Sequence, residues 1–585
     1  MKRPIRIGNC SGFYGDRLSA AKEMVDGGPI DVLTGDYLAE LTMLILWKAK
    51  QKDPSFGYAK TFLTQMEQVL GTCLDRGIKV VSNAGGLNPA GLAEALAALA
   101  ERLGLHPKIA WIEGDDILDR LDELQSSGNP LSNLDTGEPL AAAGVKPVTA
   151  NAYLGAWGIV DALAADADVV LCPRVTDASL VVGPAAWWHG WSRTDYDALA
   201  GAVAAGHVIE CGPQATGGNY SWLEEITDRR YPGFPLAEIA DDGASVITKH
   251  DNTGGLVSPG TVTAQLLYEI AEPEYVNPDV VAHFDTLRLA TQGPDRVLVS
   301  GTKGSPPPDT LKVALNYVGG FRNTMTLVIT GLDIEEKAAW ARQQLFDILG
   351  GEDVFAEVDA RLIRFDQDDA PTNEQATAHL RITVKDPDPR KVGRTFSNAV
   401  MEQALAGYAG FHTTSIPTAE SAYGVYWPTL VDRDAVTQTL VLPDGARYTL
   451  THGPSGPRPA TSSVTVAPGP GGETVRVPLG RICAARSGDK GGNANVGLWT
   501  RTDEEFRWLA DYLDEKALRS LLTEAADLEI RRFVLPNLRA LNFVVVGLLG
   551  TGVASSTRPD PQAKGLGEYL RSRHVDVPRT LLGDV

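Results

Sequence analysis

Short apolar runs alternate with helical periodicity along the first 270 residues. The strand candidates are residues 5–7, 30–33, 78–81, 108–112, 148–150 and 169–171. Between them lie amphipathic segments such as residues 91–103, with Pro89 just ahead of the first turn, where proline is favoured. This alternation is typical of a parallel sheet covered by helices, so we predict an α/β domain over residues 1–270.

Glycine and polar residues gather where these strands end. They occupy residues 8–12, 34–37, 83–89, 113–116 and 172–177, and a further loop-rich stretch covers residues 210–220. Each motif alone reads as a turn with a helix cap. Ligands of open α/β sheets bind outside the carboxyl ends of the strands, however, so five such motifs at one edge predict a ligand site.

The pattern changes after residue 270. Longer strands, such as residues 312–317 and 378–384, alternate with helices near 334–349 and 392–406. This arrangement indicates an α+β domain over residues 271–450.

The remainder of the chain divides into a linker and a small domain. Residues 451–474 are rich in Gly, Pro, Ser and Thr and have almost no apolar periodicity, so they predict a linker. Residues 475–585 show the order strand, strand, helix, strand, helix, with the first helix over 503–522 and the last from Lys564. We expect helices packed on a small antiparallel sheet.

Length and charge limit the function classes. A chain of 585 residues exceeds one hydrophobic core, so we expect three packed units. The formal net charge of -21 repels phosphate backbones, which argues against a nucleic-acid partner. The chain starts in a strand pattern and contains no run of about 18 apolar residues. We therefore expect a cytoplasmic protein with no membrane partner.

Cofactor and metal motifs are not evident. The five cysteines are far apart, without a CxxC pair, and the nine histidines show no metal-ligand spacing, so we expect neither disulfides nor a metal. A G-x-G-x-x-G motif that opens a helix and a G-x-x-x-x-G-K-[ST] motif are both missing from the sequence. The sequence predicts no nicotinamide or nucleotide cofactor.

Charged residues at the strand ends are the candidates for acid–base chemistry. Asp36 and Asp177 can act as general bases or cap helices, and the sequence does not decide between these roles. For Asp115 and Asp116 a capping role is favoured. Arg174 either pairs with Asp177 or clamps a substrate carboxylate.

Two further motifs are candidates for chemistry at the carboxyl edge of the predicted sheet. Cys10 and Ser11 lie in a G-x-C-x-G segment that could present a nucleophile, but no His or acid partner is identified. Residues 486–493, Arg-Ser-Gly-Asp-Lys-Gly-Gly-Asn, join two predicted strands as a charged loop. Its N–H groups and Lys490 can bind an anion, or it is an ordinary long hairpin. We predict that this loop reaches the edge of the N-terminal sheet, within one chain or across a homo-oligomer interface.

Several of these motifs, in the same order, resemble the acyclic terpene utilisation AtuA family. They are residues 8–17, 36–40, 83–86, 174–177 and 217–219, while residues 486–493 resemble the small ferredoxin-like domain that accompanies the family. The resemblance implies an AtuA-type core domain, a ferredoxin-like C-terminal domain and a link to terpenoid catabolism through coenzyme A thioesters, alongside an acyl-CoA carboxylase. It implies no settled reaction, and this chain has no biotin-attachment motif.

The leading hypothesis is an enzyme that acts on a branched or isoprenoid acyl thioester or related carboxylate by lyase or hydratase chemistry. Asp36, Arg174, Asp177, Asp489 and Lys490 are the predicted catalytic residues. The predicted substrate-binding residues are Gly12, Arg17, Tyr37, Asn83, Gly85, Gly86, Gly218, Asn219, Arg486 and Asn493. No cofactor is expected, although the substrate can carry coenzyme A, and we expect a homo-oligomer. The alternatives are a Cys/Ser acyl hydrolase and a noncatalytic partner subunit of an acyl-CoA carboxylase.

Overall fold

The structure is a computed structural model that describes residues 2–457 and 464–583. The described residues form two compact units. The first draws on Met1–Asn316, Tyr426–Val553 and Gln562–Val585, and the second on Tyr317–Val425 and Ala554–Pro561. The second unit draws mainly on the range predicted for the middle domain, while the predicted domain boundaries themselves stay predictions.

The first 305 residues contain most of the first unit's secondary structure. The strands are β1 (Ile5–Asn9), β2 (Val32–Gly35), β3 (Lys79–Ser82), β4 (Ile109–Glu113), β5 (Pro147–Ala152), β6 (Val169–Leu171), β7 (Pro235–Ile239), β8 (Ser245–Lys249), β9 (Glu274–Val276), β10 (Val281–His283), β11 (Arg288–Gly293), β12 (Arg296–Ser300) and β13 (Lys303–Ser305). The helices are α1 (Ala20–Gly27), α2 (Glu40–Lys52), α3 (Lys60–Arg76), α4 (Pro89–Arg102), α5 (Leu121–Ser126), α6 (Leu140–Ala143), α7 (Trp157–Ala164), α8 (Ser179–His189), α9 (Tyr196–Ile209) and α10 (Pro259–Leu266).

The later strands and helices follow in chain order. The strands are β14 (Thr310–Thr330), β15 (Glu357–Arg364), β16 (Thr377–Asp386), β17 (His412–Thr413), β18 (Ser421–Asp432), β19 (Thr439–Val441), β20 (Arg447–Thr449), β21 (Thr474–Pro478), β22 (Cys483–Lys490), β23 (Asn493–Thr500), β24 (Ile530–Leu535), β25 (Ala540–Val545) and β26 (His574–Pro578). The helices are α11 (Ile334–Leu349), α12 (Pro389–Val392), α13 (Arg394–Glu402), α14 (Asp503–Tyr512), α15 (Glu515–Leu521) and α16 (Leu566–Ser572).

The first unit is built on one large sheet. Its strand order is β11-β12-β8-β7-β1-β2-β3-β6-β4-β19-β20. The five strands from β1 to β4 in this order are parallel, and the flanking strands pair antiparallel. Met24, Phe62 and Leu96, from α1, α3 and α4, belong to the core cluster that also contains Leu33, Val80 and Val169 of the sheet. The predicted parallel-sheet α/β architecture is confirmed.

One strand prediction needs correction. Residues 148–150 do form a strand, β5, but it pairs with β14 and not with the parallel sheet. The Tyr153 N–H just after β5 donates to the Lys312 carbonyl oxygen at 2.9 Å. Apolar alternation identifies a strand without identifying its neighbour, because pairing depends on contacts between distant segments.

The second unit is an α+β structure, as predicted. Residues of β14 from Phe321 to Thr330 pair antiparallel with β16, which pairs with β15. Helices α11 and α13 contribute Leu345 and Phe396 to a core shared with Leu327 and Leu380 of the strands. The bounds of α11 equal those expected from its apolar period.

The C-terminal part of the first unit places helices on an antiparallel sheet of order β22-β23-β25-β24. The single helix predicted over 503–522 is two helices, because the chain leaves helical geometry at Leu513. Asp514 then starts α15 by accepting the Ala517 N–H at 2.7 Å. Strands β24 and β26 were not predicted, since their apolar runs are short.

The predicted linker, residues 451–474, has no helix or strand over residues 451–457 and 464–473, and its last residue, Thr474, begins β21. Residues 458–463 lie outside the described residues. In the first part, the Gly456 N–H donates to the Pro307 carbonyl oxygen at 2.8 Å. Over residues 2–457 and 464–583, no helix has the length and apolar character needed to cross a membrane.

Candidate functional site

Asp36 is a buried carboxyl group at the carboxyl end of β2. Asn83, which follows β3, donates from Nδ2 to Asp36 Oδ1 at 2.6 Å, and the Tyr37 N–H donates to Asn83 Oδ1 at 2.8 Å. Burial raises the pKa of Asp36 well above its ordinary value, and the charge of Asp177 raises it further, while Arg174 and the Asn83 hydrogen bond oppose the shift. These effects favour the protonated form of Asp36.

Arg174 and Asp177 form an ion pair beside Asp36, after β6. Arg174 Nη1 lies 2.5 Å from Asp177 Oδ1, and it also donates to the Val175 carbonyl oxygen at 3.1 Å. The Arg174 side chain is 4% exposed and that of Asp177 is 28% exposed. Burial acts to lower the pKa of Arg174, but Asp177 and the Tyr153 ring, 4.2 Å from Cζ, raise it well above its ordinary value. The pair leaves the Asp177 carboxyl group partly open to solvent.

Asp115 supports this pair through the backbone of Arg174. Its Oδ2 accepts Asn151 Nδ2 at 2.7 Å and the Arg174 N–H at 3.2 Å. Burial raises the pKa of Asp115 to about 7, with a further contribution from Asp116. Asp116 Oδ1 accepts the Leu118 N–H at 3.0 Å, but the N-cap of the short helix that follows is Ile117, so neither aspartate occupies the cap position that was favoured for them.

A second buried acid, Glu210, follows α9 and was not among the predicted site residues. Its Oε1 lies 3.1 Å from His207 Nδ1. Burial raises the pKa of Glu210 well above its ordinary value, as do the charges of Asp177 and Glu269, and burial lowers the pKa of His207 to about 4. Both shifts favour the neutral forms of the two side chains. Glu210 follows an apolar helix and opens the loop-rich stretch of residues 210–220, and these were its only sequence signals.

The amide groups of the predicted glycine loops already have acceptors within the protein. The Gly12 N–H donates to Asp16 Oδ2 at 2.9 Å, the Gly85 N–H to the Cys172 carbonyl oxygen at 3.1 Å, and the Gly86 N–H to the Asn83 carbonyl oxygen at 3.2 Å. The Gly218 N–H donates to the Pro213 carbonyl oxygen at 2.9 Å. These glycines shape the turns at the sheet edge without presenting spare donors.

Three other predicted binding residues are engaged elsewhere. The Tyr37 hydroxyl is buried against Gln65. Arg17 lies over the Tyr231 ring, 3.7 Å from its centroid, and pairs with Glu23 at 2.9 Å. Asn219 has a left-handed backbone with φ 59°. None of the three has a contact with Asp36 or Arg174 among the hydrogen bonds, ion pairs and ring contacts of the described residues.

Cys10 and Ser11 show no activation for nucleophilic attack. Cys10 is 2% exposed, and burial raises the pKa of its thiol, which keeps it in the unreactive protonated form. Ser11 Oγ donates to the Phe13 carbonyl oxygen at 3.1 Å. No observation at these residues favours a hydrolase.

The C-terminal segment over residues 486–493 is not the loop that was predicted. Strand β22 continues through Lys490, β23 starts at Asn493, and Gly491 and Gly492 form the turn between them. Gly491 has φ 63°, which suits a residue without a side chain. Charge and glycine content indicated a loop, but the cross-strand ladder extends these residues as a hairpin.

This hairpin contacts residues that precede it by more than 200 positions. Arg486 donates to Gln214 Oε1, and its Cζ lies 4.1 Å from the centroid of the Tyr268 ring. Lys490 Nζ donates to the Glu269 carbonyl oxygen at 2.8 Å. At the turn, Asn493 Nδ2 donates to Asp135 Oδ1 at 2.8 Å, and the Gly492 N–H donates to Asp135 Oδ2 at 3.3 Å.

Burial and charged residues from earlier parts of the chain shift the pKa values of Asp489 and Lys490, at the end of β22. Burial raises the pKa of Asp489 to about 7, together with the charges of Glu269 and Glu40. Burial lowers the pKa of Lys490, and the nearby Lys312 lowers it further. Glu40 and Lys312 were not predicted as site residues, although Glu40 lies within a motif that carried the family resemblance.

A cavity of about 720 Å³ lies elsewhere on the first unit. Among its lining residues are Trp191, Asp197, Asp242 and Lys303, and Lys303 Nζ pairs with Asp197 at 2.7 Å. None of the groups above lines it. Among residues 2–457 and 464–583, no three His, Cys, Asp or Glu side chains are arranged to hold a metal ion.

Comparison with known families gives two matches. The family described as acyclic terpene utilisation family protein AtuA matches residues 5–442. The domain family described as AtuA ferredoxin-like domain matches residues 477–576. No curated protein and no solved structure matches the chain.

Proposed function

The chain belongs to the acyclic terpene utilisation AtuA family, and on that premise we propose that it is an enzyme of acyclic terpenoid or branched acyl metabolism. We propose lyase or hydratase chemistry on an acyl thioester, such as a coenzyme A ester, or on the related acid. The family name itself links the chain only to acyclic terpene utilisation.

One observation carries the proposal: two neighbouring carboxyl groups lie in different environments, one buried and the other paired with an arginine and partly exposed. Asp36 is buried and raised in pKa, so it can donate a proton. Asp177 is held by Arg174 at 2.5 Å and remains partly exposed, so it can accept one. Carboxyl groups whose environments separate them in this way serve as an acid and a base in one site.

In the dehydration direction, the Asp177 carboxylate removes a proton from the carbon next to the thioester carbonyl. A double bond then forms between this carbon and the next one, as the bond from that next carbon to its hydroxyl group breaks. Asp36 donates a proton to the departing hydroxyl group, which leaves as water. Hydration is the reverse. Arg174 positions Asp177, and Asp115 positions the backbone of Arg174 through the 3.2 Å hydrogen bond to its N–H.

The experiment is turnover of a panel of branched acyl-CoA substrates in D₂O, with products identified by mass. The proposal predicts gain or loss of water and deuterium at the carbon next to the carbonyl. Asp36→Asn should lower kcat about 10²-fold or more, because the amide keeps the size of the carboxyl but cannot donate its proton in the same step. Asp26→Asn is the matched control, since Asp26 is exposed and pairs with Lys22, which is exposed as well.

The other outcomes are equally specific. Release of free coenzyme A without a change in the acyl group would contradict the proposal and indicate a hydrolase. No turnover, with a biotin-dependent carboxylase retained through purification, would indicate a noncatalytic partner subunit. Equal activity of Asp36→Asn and the wild type would remove Asp36 from the reaction.

A further inference from the structure

Two lysine side chains near the Arg174–Asp177 pair lack a direct carboxylate partner among the described residues. Over residues 2–457 and 464–583, Lys312 forms no ion pair, and the hydrogen bond of Lys490 Nζ goes to the backbone oxygen of Glu269, 2.8 Å away. Partly buried ammonium groups are normally paired, because burial without a partner is costly. This arrangement indicates that a ligand supplies the missing anion.

Strand β14 directs Lys312 toward two tyrosine rings. Lys312 and Ala314 are two residues apart and so share a face of the strand, and Ala314 packs with Tyr153 and Tyr426 in one cluster. The Lys312 ammonium lies 5.0 Å from the Tyr153 ring centroid and 5.6 Å from that of Tyr426. Arg174 lies against the same Tyr153 ring, so this lysine adjoins the acid–base pair.

The C-terminal hairpin brings Lys490 to the same place. Asp135 holds the turn, and a side chain at Gly491 would lie 3.4 Å from the Tyr426 ring. Lys490 and Lys312 are close enough for the charge of Lys312 to lower the pKa of Lys490. Two elements far apart in sequence, strand β14 with Lys312 and the hairpin with Lys490, therefore meet beside the Tyr426 ring.

Glu40, at the start of α2, is the acidic group that responds to both lysines. Burial acts to raise its pKa, but Lys312, Arg174 and Lys490 lower it. It makes no ion pair of 4.0 Å or less with them among the described residues. Burial acts to lower the pKa of both lysines, while Tyr153, Glu40 and Asp135 oppose this shift at Lys312 and Glu269 and Glu40 oppose it at Lys490. Acidic groups therefore lie near both ammonium groups without a direct ion pair to either among the described residues.

Buried hydrogen-bonding groups lie beside Lys312. The hydroxyls of Tyr153 and Tyr426 lie within reach of each other, and these hydroxyls and the Nε atom of Arg174 are buried with no other hydrogen-bond partner among the described residues. Tyr153 is 7% exposed, Tyr426 is 9% exposed and Arg174 is 3% exposed. Buried donors of this kind are normally satisfied, so their grouping indicates an absent acceptor.

We propose that Lys312 and Lys490, with the hydroxyls of Tyr153 and Tyr426, bind a free carboxylate of the substrate. The substrate class is then an acyl thioester or acid with a second carboxyl group, separate from the reacting carbonyl. This inference rests on the proposed function for the identity of the reacting group, but the binding site is testable without turnover.

The test uses glutarate as the probe, measured by titration calorimetry at low salt, with inorganic phosphate and neutral glutaramide alongside. We expect glutarate to bind the wild-type protein and glutaramide not to bind. Lys312→Met and Lys490→Met should each weaken glutarate binding about tenfold or more, since each removes a charge-assisted contact. Lys22→Met, at an exposed lysine paired with Asp26, should bind like the wild type.

Lys312→Arg keeps the positive charge, so it is the control in case Lys312→Met loses binding only because it misfolds. It should retain most of the affinity and the wild-type circular dichroism spectrum. Absence of glutarate binding, or equal binding by Lys312→Met, would overturn the carboxylate site, and so would tight binding of phosphate that excludes glutarate. Glutarate binding without turnover of any acyl-CoA would leave the site standing and reject the proposed reaction instead.

Discussion

Replacement of Asp115 by asparagine should remove the part of the pH dependence of the free energy of unfolding that comes from burial of Asp115. Asp115 is 4% exposed, and its Oδ2 accepts two hydrogen bonds, from Asn151 and from the Arg174 N–H. A protonated carboxyl can keep both bonds through its carbonyl oxygen, and an asparagine amide can do the same with nearly the same shape. Asp115→Asn therefore mimics the neutral form of the residue.

The magnitude follows from the pKa of Asp115, which burial raises to about 7 from an ordinary value of 3.8. Between these values the folded protein binds one proton more than the unfolded chain, so the free energy of unfolding falls by about 1.4 kcal/mol per pH unit. The stability that the folded protein gains from protonated Asp115 is fully present below the pKa of the unfolded chain, and it is lost as the pH rises to about 7. The total is about 4 kcal/mol, as an order of magnitude.

The assay is urea unfolding of the wild type and Asp115→Asn between pH 4 and pH 8, with Asp26→Asn as the exposed control. The difference between Asp115→Asn and the wild type should be smallest at pH 4 and should favour the variant by about 4 kcal/mol at pH 8. The control should differ from the wild type by less than about 1 kcal/mol at any pH. A difference that does not change with pH would refute the argument, because Asp115 would then titrate alike in both states.

Three further outcomes are expected. Arg174→Lys should lower kcat/KM about tenfold or more with a smaller effect on melting temperature, because the ammonium keeps the charge but loses the guanidinium geometry that orients Asp177; normal kinetics with lower stability would make Arg174 purely structural. Asp135→Ala should weaken glutarate binding and lower activity by releasing Asn493 and the hairpin turn, as measured by calorimetry and kinetics, and unchanged values would separate the hairpin from the site. Brief proteolysis followed by mass spectrometry should find the first cleavage within residues 451–474, since apolar residues are scarce there, and first cleavage elsewhere would contradict the linker prediction.

Local patterns in the sequence determined the parallel sheet and the residues at its carboxyl edge. Each parallel strand is a short apolar run, and the polar residues that follow it must meet those of its neighbours, because parallel strands end at one edge. The order of apolar runs and polar turns is therefore sufficient to predict that Asp36, Asn83, Arg174 and Asp177 lie together. Helix α11 was equally predictable, since its 16 residues follow one apolar period.

Only the tertiary structure decided the protonation states and the second half of the site. Whether Asp36 holds a proton depends on its burial and on Asp177, which lies more than 100 residues away. Lys312 and Lys490 lie on two different strands, and the sequence pattern of neither strand predicts that the two come close together. The Gly491 turn lies near Tyr426 only in the folded protein. The alternation of residues along a strand predicts which side chains share a face. The interaction between two charges depends instead on their distance in space, which is set by long-range packing.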